Sequence, residues 1–163
     1  IILKILKKDK KYVGIAPGAG EKNKIWSIDN FIEICNYIQN LDIKLVFFIG
    51  PDEMYLKDKL MHLYPNSIFI EDMIDGYSNI EIIMASTKFL KLAISNDSGV
   101  SHMLSTGYCP LIKLFGPKDA KKFTPSRENL HYISSSEFQS SDINKITKDR
   151  VTQEINKILE INN

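Results

Sequence analysis

Short apolar runs alternate with helical patterns along the 163-residue chain. Tyr12 to Ala16 is an apolar run that stops at Pro17-Gly18-Ala19-Gly20, which predicts a buried strand followed by a loop. In residues 27–40, Ile28, Phe31, Ile32, Ile34, Cys35 and Ile38 fall on one side of a 3.6-residue repeat. That spacing predicts an amphipathic helix, with Ser27 or Asp29 placed to cap it. Residues 43–49 are apolar except for Lys44 and end at Gly50-Pro51; a second helical pattern covers 52–64. A third strand is predicted over 67–70, a helix over 79–86, a fourth strand over 89–95 and a short helix over 100–106. A fifth strand over 111–115, a sixth over 131–133 and a closing helix over 146–161 complete the pattern.

Strands separated by helices of this length imply parallel pairing with right-handed crossovers. Continuous rather than alternating apolar strands imply that both sheet faces are covered. The predicted fold is therefore α/β, a Rossmann-like, doubly wound parallel sheet. In such sheets ligands bind beyond the carboxyl ends of the strands. Three strands end in glycine-containing loops, after Ala16, after Ile49 and after Ser95, and these loops are where function is sought.

Composition narrows the class. The length suits one domain covering 1–163. An apolar fraction of 44% and a charged fraction of 25% are those of an ordinary globular protein. The net charge of +1 gives no argument for a nucleic-acid partner or a polybasic membrane patch. Cys35 and Cys109 lack metal-ligand spacing and read as reduced core residues. No stretch reaches the roughly 18 apolar residues of a membrane span. The chain starts at Ile1 rather than Met, and its first residues run into Lys7-Lys8-Asp9-Lys10-Lys11. We expect a piece of a longer protein, with 1–11 as a linker from a preceding domain and 146–161 as a C-terminal helix.

Each loop supports a chemical reading beside a plain one. In Pro17-Gly18-Ala19-Gly20-Glu21-Lys22-Asn23-Lys24 the glycines allow an anion close to the backbone, and Lys22 or Lys24 could add a point charge; a solvated turn fits equally. In Gly50-Pro51-Asp52-Glu53 the carboxylates suit a helix start, while Glu53 could accept hydrogen bonds from ribose hydroxyls. Asn96-Asp97-Ser98-Gly99-Val100-Ser101-His102 is the most informative stretch. Ser98 and Gly99 open a short helix whose N–H groups suit a diphosphate, and His102 lies one turn on. The plain alternative is Asp97 as the helix cap and His102 as a packed helix histidine. After the fifth strand, Gly116-Pro117-Lys118 makes a turn, with Lys118 in reach of a phosphate in the sharper reading.

Taken in order, Pro17-Gly18-Ala19 with Lys24 and Trp26, Gly50-Pro51-Asp52-Glu53, Asp97-Ser98-Gly99-Val100-Ser101-His102 and Leu114-Phe115-Gly116-Pro117 resemble the C-terminal half of glycosyltransferase family 9, the bacterial heptosyltransferase family. Ser98 stands where that family usually has Thr, and the hydroxyl is kept. The resemblance covers about residues 12–133. It implies the C-terminal half of a GT-B enzyme, which binds a nucleotide-diphosphate sugar, with ADP-heptose the family expectation. It also implies an inverting, metal-independent transfer in lipopolysaccharide or related glycan synthesis, with no cofactor. The implied donor-binding residues are Gly18, Ala19, Lys24, Glu53, Asp97, Ser98, Gly99 and His102. Ser98 and Gly99 would hold the diphosphate through backbone N–H groups, Glu53 the ribose, and Asp97 and His102 the diphosphate and transferred sugar. No catalytic residue is assignable in this chain, because the family's general base comes from the N-terminal domain. That domain would also bind the glycan or lipid-linked acceptor. The implied location is cytoplasmic, with peripheral association of the full-length protein at the inner membrane face left open. Two other readings stand beside it: a non-catalytic nucleotide- or sugar-phosphate-binding module, and a plain α/β interaction domain with vestigial loops.

Overall fold

A computed structural model describes residues 2–73, 79–116 and 128–161. Six strands form one sheet: β1 (Tyr12–Ala16), β2 (Lys44–Phe47), β3 (Ile68–Phe69), β4 (Leu90–Asn96), β5 (Leu111–Phe115) and β6 (Leu130–Ser134). Their spatial order is β3-β2-β1-β4-β5-β6, and every pairing is parallel. The order reverses direction between β1 and β4. That topological switch point is where the loops after two central strands diverge and leave a crevice.

Alternation along β1 shows how both faces are filled. Val13 and Ile15 belong to one buried cluster with Phe31, Ile34, Val151 and Ile155. Tyr12 and Ala16 belong to the other, with Ile82, Ile83 and Leu104. The first face is covered by α2 (Ile28–Asn40), α3 (Met54–Leu63) and a C-terminal helix, α6 (Lys148–Leu159). The second is covered by α4 (Asn79–Ser86) and α5 (Gly99–Ser105). A period of two along a strand sends successive side chains to opposite faces, so a strand buried on both sides must be apolar throughout.

The predicted order of elements is the observed one, and the ends differ for local reasons. The second helix begins with a 3-10 turn over Pro51–Glu53 before α3, because Pro51 fits the first helical turn. The closing helix starts at Lys148 rather than 146: Ile143–Lys145 forms its own 3-10 turn, Ile146 is extended, and Thr147 Oγ1 accepts the Arg150 N–H as cap. Ser27 caps α2, its Oγ accepting the Asp29 N–H. Residues at the start of the chain form a helical turn, α1 (Ile2–Ile5), and Leu6 is fully buried in the second cluster. Both cysteines are free and buried, and burial pushes both thiols well above their ordinary range. Among the described residues no helix is long and apolar enough to cross a membrane.

One buried side chain ties the switch point together. Asn96, at the end of β4, donates from Nδ2 to the Pro17 carbonyl (2.7 Å) and accepts the Trp26 N–H at Oδ1 (3.2 Å). Trp26 is itself buried, edge-on to Phe31, and its indole donates to the Ile146 carbonyl (3.0 Å). Asn96→Leu keeps the branched shape of the side chain and removes both bonds, leaving a buried carbonyl and a buried N–H without partners. We expect it to lower unfolding free energy by about 2–4 kcal/mol, read from the midpoint of chemical denaturation at unchanged slope. A loss below about 1 kcal/mol would show that the bridge has no structural role.

Candidate functional site

Three segments meet at the switch point. The loop after β1 brings Gly18 and Ala19, the turn after β2 brings Gly50 and Glu53, and the start of α5 brings Ser98 and Gly99. With Phe48 and Met103 they line a cleft of about 200 Å³. A roomier depression of about 530 Å³ among Lys7, Lys8, Lys10, Lys88 and Lys91 lies away from the carboxyl ends of the strands.

Glu53 is held against two glycine α-carbons. A β-carbon on Gly18 would come within 2.3 Å of the Glu53 carboxyl carbon, and one on Gly50 within 2.5 Å of Oε2. Both positions therefore leave room for this side chain at the cleft wall. Partial burial raises the Glu53 pKa, the neighbouring Asp52 adds to the rise, and the backbone N–H groups of Gly50 and Glu53 oppose it.

The start of α5 resolves the alternatives left open by its sequence. Ser98, not Asp97, is the cap: its Oγ accepts the Ser101 N–H, and Ser101 Oγ accepts the Ser98 N–H at 3.1 Å. The Ser98 N–H is thus engaged within the chain. The first-turn N–H groups of Gly99 and Val100 have no intrahelical acceptor and point out of the helix end. His102 is not packed; its side chain is 62% exposed.

Asp97 is nearly buried, and its N–H donates to the Leu114 carbonyl of β5. Its Oδ1 lies 2.9 Å from the Lys113 ammonium and 4.0 Å from His102 Nε2. The contact with Lys113 is a charge pair without hydrogen-bond geometry. Lys24 ends the 3-10 turn Lys22–Lys24, pairs with Glu21 and is mostly shielded, whereas Lys22 is exposed. Desolvation lowers the His102 pKa; Lys113 and Lys24 lower it further, and Asp97 opposes them. The imidazole is therefore biased toward its neutral form by its protein surroundings.

Of the eight residues implicated from sequence, Gly18, Ala19, Glu53, Ser98 and Gly99 share the cleft. Asp97, His102 and Lys24 form a charged group tied to the same helix start. Lys118 lies outside the described residues. Three side chains escaped the sequence reading. Lys113 carried a visible signal, a lysine inside an otherwise apolar strand. Asn96 carried none beyond its place in the motif. Glu71 carried no signal in its spacing, yet its Oε1 accepts the Ile49 N–H (3.1 Å) and its Oε2 is buried without a partner among the described residues.

Comparison with known proteins identifies the family. The sequence matches glycosyltransferase family 9 (heptosyltransferase) over residues 3–151. The chain belongs to this family. It is 27% identical over 123 residues to lipooligosaccharide heptosyltransferase 2 of Campylobacter jejuni, covering 74% of this chain and 38% of that protein. The fold is similar to a family 9 glycosyltransferase of Veillonella parvula (TM-score 0.79, 19% identity, 96% of this chain, 48% of that one). It is also similar to E. coli heptosyltransferase WaaC solved with ADP (TM-score 0.77, 17% identity, 96% and 47%). The chain thus spans under half the length of these relatives. The parallel sheet and its helices match just under half of each of these two solved chains.

Burial pushes the Glu71 carboxyl up to about 7, against backbone N–H groups and Lys57 that lower it. Between its ordinary 4.5 and about 7 the folded chain holds a proton that the unfolded chain has lost. This family member should therefore lose stability as pH rises through that window and level off above it. Glu71→Gln is expected to flatten the slope, gaining roughly 2–3 kcal/mol on wild type between pH 4 and pH 8. Denaturation curves in a pH series check this, and parallel wild-type and variant profiles would refute it.

Proposed function

We propose that this chain is the donor-binding domain of an inverting, metal-independent glycosyltransferase that uses an ADP-linked sugar, with ADP-heptose the first candidate. The observation that carries the reading is the convergence of Gly18, Ala19, Glu53, Ser98 and Gly99 on one cleft at the switch point, the place where a doubly wound sheet binds nucleotides. Membership of the heptosyltransferase family supports the reaction class. The similar fold of WaaC, solved with ADP, supports the nucleotide.

In this reading the Glu53 carboxylate accepts from ribose hydroxyls. The diphosphate lies over the start of α5, where the Gly99 and Val100 N–H groups donate to it and Lys24 adds positive charge. Those groups stabilise the charge that builds on the leaving diphosphate as the sugar bond breaks. His102 and Asp97 border the transferred sugar. The base that activates the acceptor hydroxyl, and the surface for a glycan or lipid-linked acceptor, belong to the domain that completes a GT-B enzyme. The chain alone therefore binds donor and does not turn it over. The parent enzyme acts in lipopolysaccharide or related glycan synthesis on the cytoplasmic side of the membrane.

Titration with ADP, UDP, GDP and CDP, followed by calorimetry or backbone NMR shifts, tests this. We expect selective ADP binding that EDTA does not alter. Glu53→Ala and His102→Ala should weaken it, by about tenfold or more for Glu53. Gly18→Ala should do the same by displacing the Glu53 carboxylate, with little loss of stability. Selectivity for another diphosphate would move the donor away from ADP-heptose. Absence of binding by a folded chain and by the full-length protein would defeat the reading.

A further inference from the structure

We infer that Lys113 is an electrostatic positioning residue of the donor site, an inference that rests on the reading above: its buried ammonium neutralises Asp97 beneath the cleft, so that an anionic diphosphate can sit over the carboxylate. Lys113 lies mid-strand in β5, flanked by Leu111, Ile112, Leu114 and Phe115, all buried. Its side chain is 2% exposed, and its ammonium sits 5.1 Å from the centre of the Phe115 ring. A desolvated ammonium is costly, and an apolar residue of similar volume would fill this strand position at no such cost. Its charge partner is Asp97, at 2.9 Å. A buried ion pair is on balance a weak source of stability, so its placement invites a functional account.

The placement is specific. Lys113 is in register with Ser95 on β4, two residues before Asp97, and the Asp97 N–H bonds β5 at Leu114. The pair therefore sits at the root of α5, under the helix start that faces the cleft. Without Lys113 the floor would carry a nearly buried carboxylate, which would repel a diphosphate and favour the protonated ring of His102, 4.0 Å away. With Lys113 the pair is neutral. The charged groups that act on His102 are Lys113, Asp97 and Lys24, from β5, the residue after β4 and the loop after β1.

The test uses Lys113→Met, Lys113→Arg and Lys113→Met with Asp97→Asn, on the chain described and on the full-length protein. Two readouts are taken: the His102 titration midpoint by NMR without ligand, and affinities for ADP and for adenosine. Lys113→Met should raise the His102 midpoint by about half a pH unit or more. It should weaken ADP roughly tenfold while leaving adenosine unchanged, because only the diphosphate meets the uncovered charge. Lys113→Arg should stay close to wild type, and the double variant should recover most of the ADP affinity. An unmoved His102 midpoint in folded Lys113→Met overturns the inference without reference to any nucleotide. So does equal loss of ADP and adenosine, which marks a merely structural role. If Lys113→Met does not fold, the charge-neutral double variant decides: binding ADP within about threefold of wild type supports the inference, and a tenfold loss overturns it. Wild type that binds ADP beside a Lys113→Met variant that binds it equally removes this inference alone. Wild type that binds no diphosphate removes the donor reading and this inference with it.

Discussion

The site depends on the carboxamide of Asn96. A doubly wound sheet opens a crevice between β1 and β4 because their crossovers leave in opposite directions, and nothing in the sheet itself fixes the width of that opening. Asn96 fixes it. Its two hydrogen bonds, to the Pro17 carbonyl and from the Trp26 N–H, hold both ends of the loop after β1 against the end of β4. The loop then carries Gly18 and Ala19 along one wall while the residues that follow Asn96 form the other. Trp26 extends the brace, since its indole bond to Ile146 anchors the segment leading into α6. An asparagine suits this task because one planar group supplies both a donor and an acceptor, and burial makes each bond costly to break.

Above that brace the charges are layered. Lys113 and Asp97 form a closed pair in the floor, and His102 stands exposed beside them. Lys24 is held by Glu21 at the edge. Each layer changes the next: the two lysines bias the imidazole toward neutrality, and the carboxylate partly opposes them. An incoming diphosphate would act in the opposite sense, favouring the protonated ring. In the proposed donor site His102 would therefore gain charge as the diphosphate enters, which a histidine packed in a core could not do.

Much of this could be read from the chain, and the boundary of what could be read has a physical cause. Apolar runs such as Leu111–Phe115 specify strands because a strand covered on both faces has few polar positions. Glycine-bearing loops at strand ends specify the crevice, because a parallel sheet puts all those ends on one edge. Element boundaries were less legible: whether 146 or 148 begins the last helix turns on Thr147 accepting a backbone N–H, a local competition that periodicity does not register. Lys113 was missed because a pattern reading treats one lysine in a strand as tolerated noise, while its meaning lies in Asp97, sixteen residues earlier. Glu71 is similar, since its role is set by the Ile49 N–H across the sheet. Side chains defined by a distant partner cannot be ranked from spacing alone.

The spacing of Asp97-Ser98-Gly99-Val100-Ser101-His102 is itself explained by the geometry. Asp97 must leave β4 while its N–H still bonds β5, which turns its carboxylate toward Lys113. The next residue must cap a helix, and Ser98 does so with Ser101 three positions on, the separation at which a cap side chain meets a first-turn N–H. Gly99 is not required by packing, because among the described residues a β-carbon there would meet nothing within 4 Å beyond its chain neighbours and its own helix backbone. Gly99 lines the cleft, so in the proposed donor site a small residue there would serve a ligand rather than the fold. One helical turn after the cap, His102 returns to the same side. The carboxylate, hydroxyl, open backbone and imidazole thus follow from one strand end running into one helix start. The capping box also decides which donors the proposed site would offer: with the Ser98 N–H engaged by Ser101, the first-turn donors left are those of Gly99 and Val100.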